Sequence, residues 1–226
     1  MSATRHLFLF VAGGIGDSAD INGLGEELKS LIYTQRNNNL WCPALIGPNG
    51  LGMINAPLQL NTLFIPQEKL NVQFYDAADV ALVSQSGAFL ITRLSRDNSL
   101  KLKYGFSIGN QIDMKFSDFI ALIANDKSVK VLGLYVEGFA EGDVCTISKL
   151  VNKSHQEKRH VIIYKGGRTE RGKVAAAGHT GAMMGDYQMQ KRLLTKSGAI
   201  FVETFNQFNA VLKWLSAYPQ SQHMKK

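Results

Sequence analysis

Val80-Ala81-Leu82-Val83-Ser84-Gln85-Ser86-Gly87 opens the regular part of the chain. Four apolar residues in succession suit a strand buried on both faces, and the Ser-Gln-Ser-Gly turn leads straight into helical spacing over residues 87–96. The alternation then repeats. Residues 104–108 read as a strand and 116–124 as a helix, 129–136 as the strongest strand, 145–154 as a helix and 160–164 as another buried strand. A Gly/Ala-rich segment follows, then a helix at 186–195, a strand at 199–202 and a helix at 205–217. Strands alternating with helices of about ten residues imply βαβ units, a parallel sheet and right-handed crossovers. The expectation is an α/β, flavodoxin-like, doubly wound parallel five-stranded sheet over residues 79–219, with any ligand beyond the carboxyl ends of its strands.

Upstream the texture differs. Residues 1–60 are rich in Gly and Asn and suggest a short strand at 6–11, a helix around 23–35 and a strand at 44–46 ahead of Gly47-Pro48-Asn49. Residues 61–78 read as a linker with a short extended run at 62–65, and residues 220–226 as a polar, disordered tail.

Composition bounds the classes. The 226 residues are 45% hydrophobic and 19% charged, which is globular rather than disordered, with a net charge of +7. The cations are spread along the chain instead of forming one stripe, so a solvated surface is expected and nucleic acid is not. No window approaches the roughly 18 uninterrupted apolar residues of a membrane span. The apolar run at 7–12 is too short for a secretory signal. Cys42 and Cys145 are too few for a disulfide framework, and a cytoplasmic, reducing location is expected.

The segments after the strands carry the chemistry. Ser84, Gln85, Ser86 and Gly87 leave backbone N–H groups at a positive helix terminus, which suits an anion. The same residues suit an ordinary N-cap, and both readings stand. Gly109-Asn110-Gln111 follows the strand at 104–108. The strand at 131–136 ends in Glu137-Gly138, where the carboxylate is either a functional acid facing the crevice or a surface acid beside a helix cap. The segment from Val174 to Ala182 is the most distinctive, because His179 stands among Gly178, Thr180 and Gly181. Flanking glycines allow backbone shapes that lift the imidazole from the loop, and imidazole can act as nucleophile, acid or base near neutral pH. His6, His155, His160 and His223 read as surface or core. No second His or Cys stands at ligand spacing from His179, so no metal is expected, and a serine hydrolase is only weakly supported.

Taken in order, these motifs resemble one family. Gly47-Pro48-Asn49-Gly50-Leu51-Gly52, Ala81-Leu82-Val83-Ser84-Gln85-Ser86-Gly87-Ala88, Phe106-Ser107-Ile108-Gly109-Asn110-Gln111-Ile112-Asp113, Leu134-Tyr135-Val136-Glu137-Gly138, Tyr164-Lys165-Gly166-Gly167-Arg168 and Gly178-His179-Thr180-Gly181-Ala182 are similar to the alpha part of nucleoside-diphosphate-forming acyl-CoA synthetases, relatives of the succinyl-CoA synthetase alpha subunit. The resemblance runs from about residue 11 to residue 219. It implies that an acyl-CoA thioester and phosphate exchange for an acyl phosphate, whose phosphoryl group passes to a histidine and then to ADP or GDP. By that resemblance His179 is the phosphorylated residue and Glu137 orients its imidazole. Ser84, Gln85, Ser86, Gly87, Gly178, Thr180 and Gly181 hold phosphate, while Gly47, Pro48, Asn49, Gly109 and Asn110 border the acyl and CoA pocket. CoA and phosphate are then substrates, Mg-ADP or Mg-ATP sits on a partner domain, and this chain binds no metal.

The resemblance further implies that residues 1–60 are a remnant of a Rossmann-like CoA-binding domain and that residues 79–219 carry the phosphohistidine loop. An ATP-grasp beta-type subunit would supply the nucleotide, and a separate piece the glycine-rich CoA turn. Residues 12–17 lack the Phe and Glu of the family's Ala-Gly-Phe-x-Glu loop, and Gly50 replaces its commoner Cys, Ser or Thr. A second reading is a truncated homologue that acts as a binding or assembly module. A flavodoxin-type redox protein shares only the fold class, without the aromatic loops or the acidic charge.

Overall fold

The computed structural model describes residues 6–75, 78–96, 100–166 and 187–218. Along the chain these form β1 (Leu7–Leu9), α1 (Leu24–Asn37), β2 (Ala44–Ile46), β3 (Gly52–Asn55), a 3-10 turn (Ala56–Leu58) and β4 (Leu60–Asn61). There follow β5 (Val80–Ser84), α2 (Gly87–Arg96), β6 (Leu102–Ser107), α3 (Phe116–Ala124), β7 (Val131–Val136) and α4 (Asp143–Gln156). The last elements are β8 (His160–Lys165), α5 (Tyr187–Lys196), β9 (Ile200–Val202) and α6 (Phe205–Ala217).

The main sheet runs β4-β3-β6-β5-β7-β8-β9. Its strands from β6 to β9 are parallel, and their order matches the doubly wound pattern in which the first strand lies between the second and the third. The five parallel strands are those expected from sequence. Antiparallel β3 and β4 extend the sheet at the β6 edge, and β1 pairs with β2 as a separate parallel ribbon.

Alternating residues of the central strands feed two cores. Ala81, Val83, Leu132, Leu134, Val136, Val161 and Ile163 pack with Phe116, Phe119, Ile120, Ile147, Val151 and Leu194 from α3, α4 and α5. Val80, Leu82, Val131 and Ile162 pack on the other face with Phe89 and Leu90 of α2 and Phe208, Leu212 and Leu215 of α6. Each Val, Leu, Ile or Phe among them contributes about 1.5–3 kcal/mol on burial. At Gly133 a Cβ would stand 2.9 Å from Phe208 and 3.2 Å from Leu82, so the glycine lets α6 sit directly on β7.

The run at 62–65 follows a strand that its pattern does not announce, β4 at Leu60–Asn61, paired with Ile54 and Asn55. The Asn55 side chain accepts from the Leu58 N–H at 3.3 Å, and Gln59 takes a positive φ of 49°, which turns the chain back early. Thr62 and Phe64 continue the contact, their N–H groups donating to Met53 O at 2.9 Å and to Leu51 O at 3.4 Å.

Candidate functional site

The strand registers bring Ser84, Ser107 and Tyr135 level with one another, and Val136 level with Lys165. The segments that leave these strands therefore meet at one edge of the sheet. Helix α2 leaves β5 toward one face, while α3 and α4 pack on the other. The gap between β5 and β7 is a topological switch point, the usual place for a ligand in such sheets.

A cleft of about 340 Å³ lies there. Gln85, Ser86, Gly87 and Ala88 line it from the β5–α2 turn, Glu137 from the tip of β7, Asn110 from the segment after β6, and Asn49, Gly50 and Leu51 from the loop after β2. Val11 and Phe64 add apolar wall. Four stretches more than a dozen residues apart in sequence thus converge on one hollow.

The helix end keeps part of its positive terminus open. Ser86 Oγ accepts from the Phe89 N–H at 3.3 Å, so the N-cap reading of Ser86 holds. No bond engages the N–H groups of Gly87 and Ala88 among the described residues, and both residues face the cleft. Gln85 is buried, and its Oε1 accepts from the N–H groups of Glu137 at 2.8 Å and Gly138 at 3.0 Å. Its Nε2 has no hydrogen-bond partner among the described residues. Ser84 is also buried and donates its hydroxyl to the Ser86 carbonyl at 2.6 Å, behind the cleft rather than in its lining.

The loop after β2 is docked by backbone contacts. Asn49 N–H donates to Ala12 O at 2.9 Å, Gly50 N–H to Phe10 O at 3.2 Å, and Asn110 N–H to Pro48 O at 2.8 Å. Gly109 has φ of +59°, and a Cβ there would stand 2.0 Å from Pro48 O, so only glycine lets the two loops touch. Gly47, Pro48 and Gly109 are buried supports of the cleft, whereas Asn49 and Asn110 reach its surface. The Asn110 amide donates to Ile15 O at 2.8 Å and to Asp17 Oδ2 at 3.2 Å, tying in the 12–17 loop.

Glu137 is half-buried, and its carboxylate interacts with the Tyr135 hydroxyl. Burial first, and then the Glu137 and Tyr164 neighbours, push the Tyr135 phenol up, so it stays a neutral donor. Behind Glu137, the buried Lys165 donates to its carbonyl oxygen at 3.3 Å, and burial pushes that ammonium down. Lys165, Tyr135 and Phe64 join the site without a role expected from the sequence. The first two stand in quoted motifs, at or near strand ends, and that place is the available signal. Gly178, His179, Thr180 and Gly181 lie outside the described residues. Among the described residues no cluster of His, Cys, Asp or Glu could hold a metal, and no helix is long and apolar enough to cross a membrane.

Fold and site together define a doubly wound α/β unit with an open helix N-terminus and a carboxylate on one crevice. Residues 77–215 match the succinyl-CoA ligase like flavodoxin domain, and the chain belongs to that family. Among its relatives is the acetate–CoA ligase [ADP-forming] of Methanocaldococcus jannaschii, 33% identical over 179 residues, covering 77% of this chain and 24% of that protein. The alpha subunit of the acetate–CoA ligase [ADP-forming] I of Pyrococcus furiosus is 30% identical over 212 residues, covering 91% of this chain and 43% of the subunit. Among solved structures, the dinucleotide forming acetyl-coenzyme A synthetase 1 of Ca. Korarchaeum cryptofilum, in complex with phosphate and ADP, superposes with a TM-score of 0.75 at 26% identity, covering 92% of this chain and 43% of that one. The chain thus spans less than half the length of these proteins.

Proposed function

We propose that this chain is the phosphoryl-carrying part of an ADP-forming acyl-CoA ligase. The observation that carries the reading is the meeting of the open α2 terminus and Glu137 on one cleft, in a chain of this family. The residues fit phosphate: among the described residues the Gly87 and Ala88 N–H groups and the Gln85 amide nitrogen are donors without acceptors, at the positive end of a helix. A phosphate oxygen accepts from such donors. In this reading an imidazole nitrogen of His179 attacks the phosphorus of an acyl phosphate. The P–N bond forms as the P–O bond to the acyl group breaks, and the carboxylate leaves. Glu137 accepts a hydrogen bond from the other ring nitrogen and stabilises the cation that develops. The phosphohistidine then gives its phosphoryl group to ADP on a partner of ATP-grasp type. CoA enters with the acyl group, and its adenine end requires residues beyond those in this cleft. A reducing compartment such as the cytoplasm suits the free thiols of Cys42 and Cys145.

The test combines the chain with a beta-type subunit and a CoA-binding piece of a relative, and measures ATP made from ADP, phosphate and acetyl-CoA. Turnover that needs all components and is lost in His179→Ala is the expected result. A folded, assembled mixture without turnover would overturn the reading and leave the binding-module alternative.

A further inference from the structure

All four backbone polar groups of the Glu137–Gly138 pair are held by buried side chains from other parts of the sheet's carboxyl edge. Gln85 Oε1 accepts from both N–H groups, at 2.8 and 3.0 Å. Lys165 Nζ donates to the Glu137 carbonyl at 3.3 Å, and Gln111 Nε2 to the Gly138 carbonyl at 3.0 Å. Gln85 is 3% exposed, Gln111 4% and Lys165 3%. They come from the segments after β5 and β6 and from the end of β8, three neighbours in the same sheet.

Burying an amide or an ammonium is costly unless it is bonded, and a loop at a strand tip can ordinarily satisfy its backbone with water. Three buried polar side chains on one dipeptide therefore need a reason beyond satisfaction. The bonds also fix their own sense. The Gln85 oxygen faces two N–H donors, so a flipped amide would set donor against donor, and the Gln111 nitrogen faces a carbonyl for the same reason. With both peptide planes pinned, the Cα–Cβ direction of Glu137 is set, and its carboxylate is aimed along the cleft wall.

We propose that Gln85, Gln111 and Lys165 are positioning residues that hold Glu137 at its working angle. This rests on the reading that Glu137 orients the phosphorylated imidazole. Gln85 also borders the phosphate, so Gln111 and Lys165 are the cleaner reporters of kinetics, and Gln85 of structure.

The first arm is amide hydrogen exchange, which requires no activity. Gln85→Met should speed exchange at Glu137 and Gly138 about tenfold or more, the loss expected when a buried acceptor is removed. Gln85→Glu, whose oxygen still accepts, should restore slow exchange, and Val161 and Ile162 in β8 should stay protected throughout. The second arm is transfer of phosphate onto the chain in the assembled enzyme. Gln111→Met and Lys165→Met should each lower the rate constant about 10-fold to 100-fold with little change in the KM for phosphate. Combined with Glu137→Gln they should add almost nothing, because they act through that carboxylate. Unchanged exchange in Gln85→Met, or full additivity with Glu137→Gln, would overturn the proposal. An inactive wild-type assembly would count against the function above, while the exchange arm would still decide whether the clamp exists.

Discussion

The parallel sheet and the segment before it hold together by different means. In the sheet, β5, β7 and β8 are apolar on both faces, and Phe208 closes over them with no exposed surface. In residues 6–46, the ribbon of β1 and β2 with α1 leaves Phe8 52% and Trp41 65% exposed, and it contributes few residues to either core. That segment is tied on by polar bonds. Arg36 pairs with Asp113 at 2.5 Å, and the buried carboxylate also accepts from the Leu45 N–H at 2.9 Å. The Met114 and Ile112 N–H groups donate to Leu45 O and Gly47 O, at 3.1 and 3.2 Å. The cleft lies at the seam, with a floor built by the apolar part and one wall hung on it by hydrogen bonds.

The sharpest way to break this contrast is to truncate one aromatic residue on each side. Phe208→Ala should cost about 3–5 kcal/mol of stability in chemical denaturation, since it empties a core site. Phe8→Ala should cost under about 0.5 kcal/mol, as for most exposed positions. Equal losses would mean that the first segment has a core of its own.

Next in size is the tie itself. Asp113→Ala strands the Leu45 N–H and removes the partner of Arg36, and should cost about 1–3 kcal/mol. Limited proteolysis should then cut within residues 6–46 before it touches the sheet. Arg36→Ala should cost less than about 1 kcal/mol, because the guanidinium is half-exposed, water can take its place, and the Leu45 N–H still serves the Asp113 carboxylate. The reverse order would make the ion pair, rather than the backbone tie, the fastening.

The smallest effect concerns Tyr104 on β6, away from the seam. Burial, followed by its hydrogen bond to Asp126, pushes its phenol from 10.0 up to about 12. A raised folded value means stability that is complete below pH 10 and is lost as pH climbs from 10 to about 12. Alkaline melts of Tyr104→Phe should therefore show a shallower decline over that window than the parent protein, with no change in proteolysis of residues 6–46.

The same contrast explains what the sequence made legible. The runs at 80–83, 131–136 and 161–164 carry no charged residue because both faces are covered, so they announced a parallel sheet, and Glu137 stood out as a charge at such a strand's tip. Strand β3 was hidden, since Gly52-Met53-Ile54-Asn55 lacks a strand pattern and gains its partner only from the edge of β6. Gln85, Asn110, Gln111 and Lys165 were readable as polar residues at or just past strand ends, and Asn49 only through the family resemblance. What no side-chain pattern records is that Gln111 and Lys165 donate to backbone carbonyls of a distant dipeptide.

The proposed function requires that this chain carry a phosphoryl group on one histidine oriented by Glu137. The most direct measurement is phosphate transfer from labelled ATP with Mg²⁺ and a beta-type subunit, followed by mapping of the label by peptide mass spectrometry. Acid-labile, base-stable label on the His179 peptide, absent in His179→Ala and formed about 10²-fold more slowly or worse in Glu137→Ala, is the predicted result. Label on any other residue, or none on a folded chain that binds the subunit, would contradict it.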